Sequence, residues 1–232
     1  MECLTSYIGE TDYLPAWDLQ RRLHSKVASG EVPCAMLLVQ HPHIYTIGRR
    51  GAQSDILASS EDLDQLGITV HEIDRGGEVT YHGPGQLISY PIVNLRAANL
   101  GPLRYVAALE ETTVRTLREY GIQADSDNKP TGVWVDEAKI AAIGVRVSRA
   151  VTTHGLALNV NPNLRYFDHI VPCGMPNVKM TSMADQGVEI SVPEVVPDVI
   201  RAFGEVFSWE MRPDTSGPVS YTHLTLPTIL RV

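Results

Sequence analysis

A thiol, an amine and a guanidinium stand in three stretches where their neighbours could set them to chemical work. Cys173 lies between Pro172 and Gly174, a setting that specifies a turn, whereas most cysteines are apolar fillers. A thiol reacts as its thiolate, and at a free pKa near 8.5 only a few per cent is ionised at neutral pH, so a positive group has to stand nearby. Lys139, in Asp136-Glu137-Ala138-Lys139-Ile140, reads from its neighbours alone as a solvated lysine just past a hairpin turn. The third stretch, Arg75-Gly76-Gly77-Glu78-Val79-Thr80-Tyr81-His82-Gly83-Pro84-Gly85-Gln86, brackets a Thr-Tyr-His triplet with glycines, which let another molecule approach the main chain closely. Two readings are open: a hairpin with two tight turns, or a backbone-lined groove for a ligand. A plain hairpin does not call for Arg75, Thr80, Tyr81, His82 and Gln86 so tightly clustered. His82 and His154, beside glycines, read as hydrogen-bonding scaffold rather than as bases. His41 and His43 have no third ligand near them in sequence, so no metal site is expected.

The elements that would position these groups follow from periodicity and punctuation. A short strand over Thr5–Ile8 precedes a helix over 12–29, with Tyr13, Trp17, Leu23 and Val27 on one stripe and Gly30 as terminator. Cys34–Val39 is a continuous apolar run, read as a buried strand, and Ile44–Ile47 is a second strand. A short helix around Glu61–Leu66 and a strand over Thr69–Ile73 lead to the glycine-rich stretch, and Leu87–Val93 is its exit strand. Residues 102–120 form an amphipathic helix with Pro102 near its start and Gly121 after its end. Gly132–Val135, Ile140–Val147 and Val151–Val160, tightly connected, imply an antiparallel meander. Ser191-x-x-Glu194 matches a capping box before the stripe Val196, Ile200, Phe203 and Phe207, with Pro197 as a competing start. The fold class is therefore α+β, or mixed α/β.

With 232 residues, the chain fits one large domain or two small ones. No apolar run approaches the roughly 18 residues of a membrane span, and no signal peptide is visible. Cys3, Cys34 and Cys173 are scattered and odd in number, so neither a disulfide framework nor a CxxC site is expected, and a reducing, cytoplasmic setting follows. A net charge of −8 argues against nucleic acid as a partner.

The string RGGEVTYHGPGQLISYP, residues 75–91, resembles the signature of the lipoyl(octanoyl) transferases, relatives of the lipoate and biotin protein ligases. The resemblance runs from about Tyr7 to about Trp209. It implies a biotin/lipoate protein ligase catalytic-domain fold, with a central mixed sheet flanked by helices, in a single domain over 1–214. Residues 215–232 have no counterpart and look like a non-native tail. It also implies octanoyl transfer from octanoyl-acyl carrier protein, through a cysteine thioester, to a lysine of lipoyl domains. The acceptors implied are those of the 2-oxoacid dehydrogenase complexes and the glycine cleavage H protein; no cofactor is called for, and the chain is taken as a monomer. Cys173 matches the family's acyl-accepting cysteine in a Pro-Cys-Gly context, and Lys139 matches its lysine. A cation about 4 Å from the sulfur at an effective dielectric near 20 is worth up to ~4 kcal/mol, roughly three pKa units. The substrate-binding positions implied are Arg75, Gly76, Gly77, Glu78, Val79, Thr80, Tyr81 and His82, with Ala142, Ile143 and Gly144, and Gly155, Leu156 and Ala157. Competing classes are an ATP-dependent lipoate–protein ligase, an amidotransferase working between lipoyl domains, and a non-catalytic module that binds acylated carriers. Arg49, Arg50, Arg146 and Arg149 are the candidates for a basic rim that would draw acidic partners to an acidic protein.

Overall fold

The computed structural model describes residues 1–214; the expectation of a non-native tail over 215–232 lies outside them. β1 (Glu2–Glu10) is longer than the Thr5–Ile8 expected, because it is flanked by strands on both edges. α1 (Tyr13–Ser29) ends at Gly30, whose φ of 80° turns the chain out of the helix. There follow β2 (Cys34–Gln40), β3 (Ile44–Ile47), α2 (Ser60–Gln65), β4 (Thr69–Glu72), β5 (Val79–His82) and β6 (Gln86–Val93). The second half holds α3 (Pro102–Glu119), β7 (Val133–Val135), β8 (Ala138–Ser148), β9 (Val151–Asn159), β10 (Lys179–Met180), α4 (Val192–Phe207) and β11 (Glu210–Pro213). α4 begins at Val192 rather than Pro197: the Glu194 carboxylate accepts from the Ser191 N–H at 3.0 Å and from its hydroxyl, fixing the start. Pro197 then removes one backbone bond from the second turn, which the buried stripe of Val195, Val199 and Phe203 outweighs.

Among the described residues an eight-stranded sheet runs β10-β8-β9-β6-β2-β1-β11, with β7 also on β8, and a three-stranded sheet runs β4-β3-β5. β1 is parallel to β2 and β11, and β10 to β8, while β7, β8 and β9 form the expected antiparallel meander, so the large sheet is mixed. α1 covers one face, laying Leu19, Leu23 and Val27 on Leu37, Val39 and Ile88. α3 and α4 pack on each other and cover the opposite face with Leu109, Leu117, Val195 and Phe203. This is the α+β architecture expected, a central mixed sheet flanked by helices.

One break in the large sheet shapes everything near it. The β6–β9 ladder runs from Gln86↔Asn159 to Ser89↔Leu156 and then opens. Pro91 has no N–H to give, and its carbonyl is taken instead by the Thr152 hydroxyl at 2.8 Å and the Tyr105 hydroxyl at 3.1 Å. At the break β9 carries His154 in the left-handed region, φ 58°, followed by Gly155. A Cβ on Gly155 would fall 2.1 Å from the Ser89 carbonyl oxygen, so only glycine lets the strands stay this close. Gly155→Ala is expected to lower stability by roughly 3 kcal/mol through forced backbone displacement, read as a lower urea midpoint. A change within about 0.5 kcal/mol, ordinary for a surface substitution, would show that the approach is not obligatory.

Candidate active site

β7 covers the edge of β8 that faces away from β9 only from Ala138 to Ala141. Beyond that the place of a neighbouring strand is taken by the Gly76 backbone, whose N–H donates to the Val145 carbonyl at 3.0 Å. A cavity of about 970 Å³ opens around this junction. One wall is the 75–82 segment with Tyr13, Tyr90 and His154; the other is α3, through Val106, Ala107 and Glu110, with the 129–131 loop.

The cavity brings together most of the residues singled out in the sequence: Arg75, Gly76, Gly77, Glu78, Thr80 and His82, then Ala142, Ile143 and Gly144, then Gly155, Leu156 and Ala157, together with Lys139 and Cys173. Val79 and Tyr81 are corrections. Strand residues alternate faces, so these two point away from the cavity into a cluster with Tyr45, Ile47 and Phe167. There the Tyr81 hydroxyl meets His43 Nδ1 at 2.9 Å and its ring stacks on Tyr166. The basic rim also needs correcting. Arg49 and Arg50 do line the cavity, but Arg146 is paired with Asp74, and Arg149 is the exposed turn residue between β8 and β9.

Arg75 is 7% exposed. Its Nε and Nη2 donate to the Thr46 hydroxyl at 3.3 and 2.9 Å, Nη2 also to the Thr46 carbonyl at 2.6 Å, and Nη1 to the Gly76 carbonyl at 3.0 Å. Lys139, expected in solvent, is 1% exposed. Its ammonium donates to the Thr131 carbonyl at 3.0 Å and lies 4.9 Å from the centre of the Trp134 ring. Glu110 on α3 stands in its field and accepts from the Gly132 N–H at 2.9 Å, fixing the loop that carries Thr131. Burial raises the Glu110 pKa, an effect the Gly132 bond and the Lys139 charge oppose. Cys173 is half-buried in a 3-10 turn over Pro172–Gly174, with its own φ at 55°, in the left-handed region costly for a side chain bearing a Cβ.

Three buried histidines are held neutral, His82 and His154 on the cavity wall and His41 off it. His41 donates from Nδ1 to the Thr11 carbonyl at 2.6 Å and accepts from the Tyr90 hydroxyl at 2.8 Å, and burial pushes its pKa down to about 4. His82 is pushed well below the usual imidazole range by burial, with His41 and Arg75 adding in the same sense. His154 donates from Nε2 to Asp74 at 2.8 Å and faces the Tyr13 hydroxyl at 3.5 Å; burial lowers its pKa despite the carboxylate. The sequence reading missed Thr46, Asp74, Tyr13, Tyr90 and Glu110. Each reaches the site across the fold; Asp74 adjoins Arg75 and Tyr90 falls within the 75–91 string, and the others carry no local signal. Among the described residues no group of three potential ligands is placed to hold a metal ion.

The model of the lipoyl protein ligase A/B catalytic domain matches residues 12–204. An octanoyltransferase of Solibacter usitatus is 46% identical over 92% of this chain and 97% of its own. One from Syntrophobacter fumaroxidans is 47% identical, over 88% and 91%. A mitochondrial octanoyltransferase of Arabidopsis thaliana is 38% identical, over 88% of each. In three dimensions a Thermoplasma acidophilum protein solved with bound lipoic acid superposes with a TM-score of 0.73 at 17% identity, covering 92% of this chain and 89% of the other. The bipartite lipoate protein ligase of the same organism gives 0.72 at 19%, over 92% and 87%. The solved structures share the fold.

The histidines give a pH dependence of definite sign. A free imidazole titrates near pH 6.5, and folded His41 near 4, so between those values the unfolded chain binds more protons and stability falls as the pH falls. For His41 alone the loss is on the order of 3 kcal/mol, and His82 and His154 add in the same sense. Urea midpoints measured across this window should drop steadily, and His41→Gln should flatten the slope. A flat wild-type profile would contradict the neutral histidines.

Proposed function

The chain belongs to the lipoyl protein ligase A/B catalytic-domain family, and from that premise we propose that it is an acyltransferase that moves an octanoyl group in lipoate biosynthesis, as its octanoyltransferase relatives are named to do. Its donor is octanoyl-acyl carrier protein, and its acceptor is a lysine of a lipoyl domain, in 2-oxoacid dehydrogenase complexes or the glycine cleavage H protein. The setting is cytoplasmic, in keeping with three cysteines that are all free thiols. The observation that carries the reading is that Cys173 and Lys139 open into one cavity whose far walls are the glycine-bearing edges of β8 and β9.

In the first step the Cys173 thiolate attacks the carbonyl carbon of the donor thioester. A new C–S bond forms, the donor C–S bond breaks, and the departing thiolate takes a proton from the Lys139 ammonium. With the anion consumed, Lys139 is a neutral amine, able to accept a proton from the incoming lysine as that nitrogen attacks the acyl-enzyme. The C–N bond forms and the Cys173 thiolate leaves. Ala142, Gly144, Gly155 and Ala157 leave room along the backbone for an extended chain, and Ile143 and Leu156 supply apolar surface. No step consumes ATP, which separates this reaction from that of a lipoate–protein ligase.

Two outcomes test this. Intact-mass analysis after mixing with octanoyl carrier protein, without ATP, should show one octanoyl adduct on Cys173; it should vanish in Cys173→Ala and persist in Cys3→Ala and Cys34→Ala. An adduct surviving in Cys173→Ala would falsify the nucleophile. Lys139→Ala should slow transfer from preformed acyl-enzyme about 10²-fold or more, the usual range for a lost proton carrier. Transfer at the wild-type rate would remove Lys139 from the reaction.

A further inference from the structure

We propose that Ile88 is the end stop of the acyl slot and sets the length of chain the protein accepts. The inference rests on the reading of the cavity as an acyl site and adds the residue that measures the chain.

The floor of the slot follows from strand register. β8, β9 and β6 lie side by side, and Ala157 on β9 is paired with Ala142 on one side and with Ile88 on the other. Residues directly opposite one another in antiparallel strands share a face of the sheet. These three therefore form one row that runs across the strands, and all three line the cavity. The row is low over β8 and β9, where it carries alanines, and rises at β6, where it carries a branched side chain.

Both flanks of the row are filled. On one side the Gly76 main chain sits over Gly144, where a Cβ would lie 3.0 Å from the Gly76 oxygen and 3.2 Å from Arg75 Cδ. On the other side Gln86 Nε2 donates to Asn159 Oδ1 at 2.9 Å, and Asn159 Nδ2 to the Thr181 carbonyl at 2.9 Å. His82 Nδ1 closes this network on Gln86 Oε1 at 3.1 Å, and Gln86, Asn159 and His82 are all buried. Opening a buried network to admit methylenes would leave its polar groups unpaired, which is costly. The direction left to a chain is across the strands.

The thiol stands at the β8 end of that path. A Cβ on Gly174 would meet Glu78 Cγ at 3.2 Å, so the Pro172–Gly174 turn leans on Glu78. Two residues earlier, Gly76 is bonded to Val145 on the free edge of β8. From Glu78, β5 leads to His82 beside Gln86, at the start of β6. At the far end the row continues to Val39 of β2, which is paired with Ile88. Val39 is fully buried in the cluster with Leu19 and Leu23 of α1, off the cavity wall. Next to Ile88 on its strand face, Tyr90 is pinned through its hydroxyl to His41 at 2.8 Å. The end wall is thus held by contacts made outside the slot.

The distances agree with this reading. Neighbouring strands lie about 4.8 Å apart, so the path from β8 to β6 is roughly 10 Å. A C–C bond of about 1.52 Å at an angle near 111° advances about 1.25 Å, so an extended octanoyl chain spans roughly 9 Å. With its carbonyl carbon at the β8 edge, the terminal methyl reaches the Ile88 side chain. A decanoyl chain is longer by about 2.5 Å and runs into it.

Carrier-protein thioesters of octanoate and decanoate, offered in equal amounts, test the assignment through the ratio of the two adducts on Cys173, read by intact mass. Ile88→Ala should raise the decanoyl-to-octanoyl ratio about tenfold or more over wild type, the scale on which an apolar pocket discriminates methylenes. Ile88→Val removes a single methylene with less risk to the fold, and should raise nonanoyl over octanoyl labelling by about threefold. It decides the matter if Ile88→Ala does not fold. Calorimetric titration with free octanoic, nonanoic and decanoic acids reads the same slot without any transfer. A wild-type protein that labels with octanoate while these ratios stay at their wild-type values in whichever variant folds overturns the end stop and leaves the functional reading standing. A wild-type protein that takes no acyl group defeats the functional reading; a shift of the free-acid affinities toward the longer acid in the variants then supports the end stop, and unshifted or absent binding overturns it.

Discussion

The contact on which the site depends is the Gly76 N–H bond to the Val145 carbonyl, at 3.0 Å. It joins the small sheet to the unpartnered edge of the large one. The same segment is held from its other side: the N–H groups of Gly48, Arg49 and Arg50 donate to the carbonyls of Glu78, Arg75 and Gly77. Residues 75–78 are thus clamped between two pieces of main chain by bonds that do not depend on side-chain identity. What the clamp does require is absence of side chains: a Cβ on Gly144 would stand 3.0 Å from the Gly76 oxygen, and one on Gly48 2.3 Å from the Gly77 oxygen. Each such bond contributes only about 1 kcal/mol net, so its importance is geometric: it sets the width of the cavity and the place of Arg75.

Electrostatics at this junction run against the character of the whole chain. The protein carries a net charge of −8, yet Arg75 and Lys139 are both buried on the cavity wall. Neither is paired with a carboxylate at contact distance among the described residues; one is caged by Thr46 and Gly76 oxygens, the other by the Thr131 carbonyl and the Trp134 ring. The histidines cannot add to this field, since burial keeps them neutral near pH 7. The positive charge in the interior is therefore confined to fixed points, the arrangement in which a preorganised charge acts most strongly.

Much of the scaffold was legible because its signals are local. The stop at Gly30, the capping box at Ser191 and the apolar run of β2 each state an element within a few residues. The glycine-rich stretch was legible as a hairpin or a groove, but not which side of β5 faced the cavity; alternation sets Thr80 and His82 against Val79 and Tyr81, and the phase is decided by packing on Phe167, eighty-odd positions away. Lys139 read as solvated because its cover, Thr131 and Glu110, comes from a loop and a helix that nothing near it announces. Arg146 read as a free rim charge because its partner, Asp74, lies on the other sheet's approach. The sequence stretch that looked most exposed chemically, Pro172–Gly174, is the one whose backbone did carry an unusual conformation.

Two left-handed residues that are not glycine line the cavity, His154 and Cys173, and they are held very differently. Such a conformation costs on the order of 1–3 kcal/mol and persists only where its surroundings over-determine it. His154 has those surroundings: its N–H is bound by Gln20 at 2.8 Å, its ring by Asp74 at 2.8 Å, and the residue is 1% exposed. Among the described residues Cys173 has only its neighbours' bonds, from the Met175 N–H to the Pro172 carbonyl and from the Val171 N–H to the Asp55 carbonyl. Strain at His154 is thus locked into the sheet, where it fixes the break beside Pro91 and the close approach at Gly155. Strain at Cys173 sits instead in a half-buried turn closed by the backbone bonds of its neighbours.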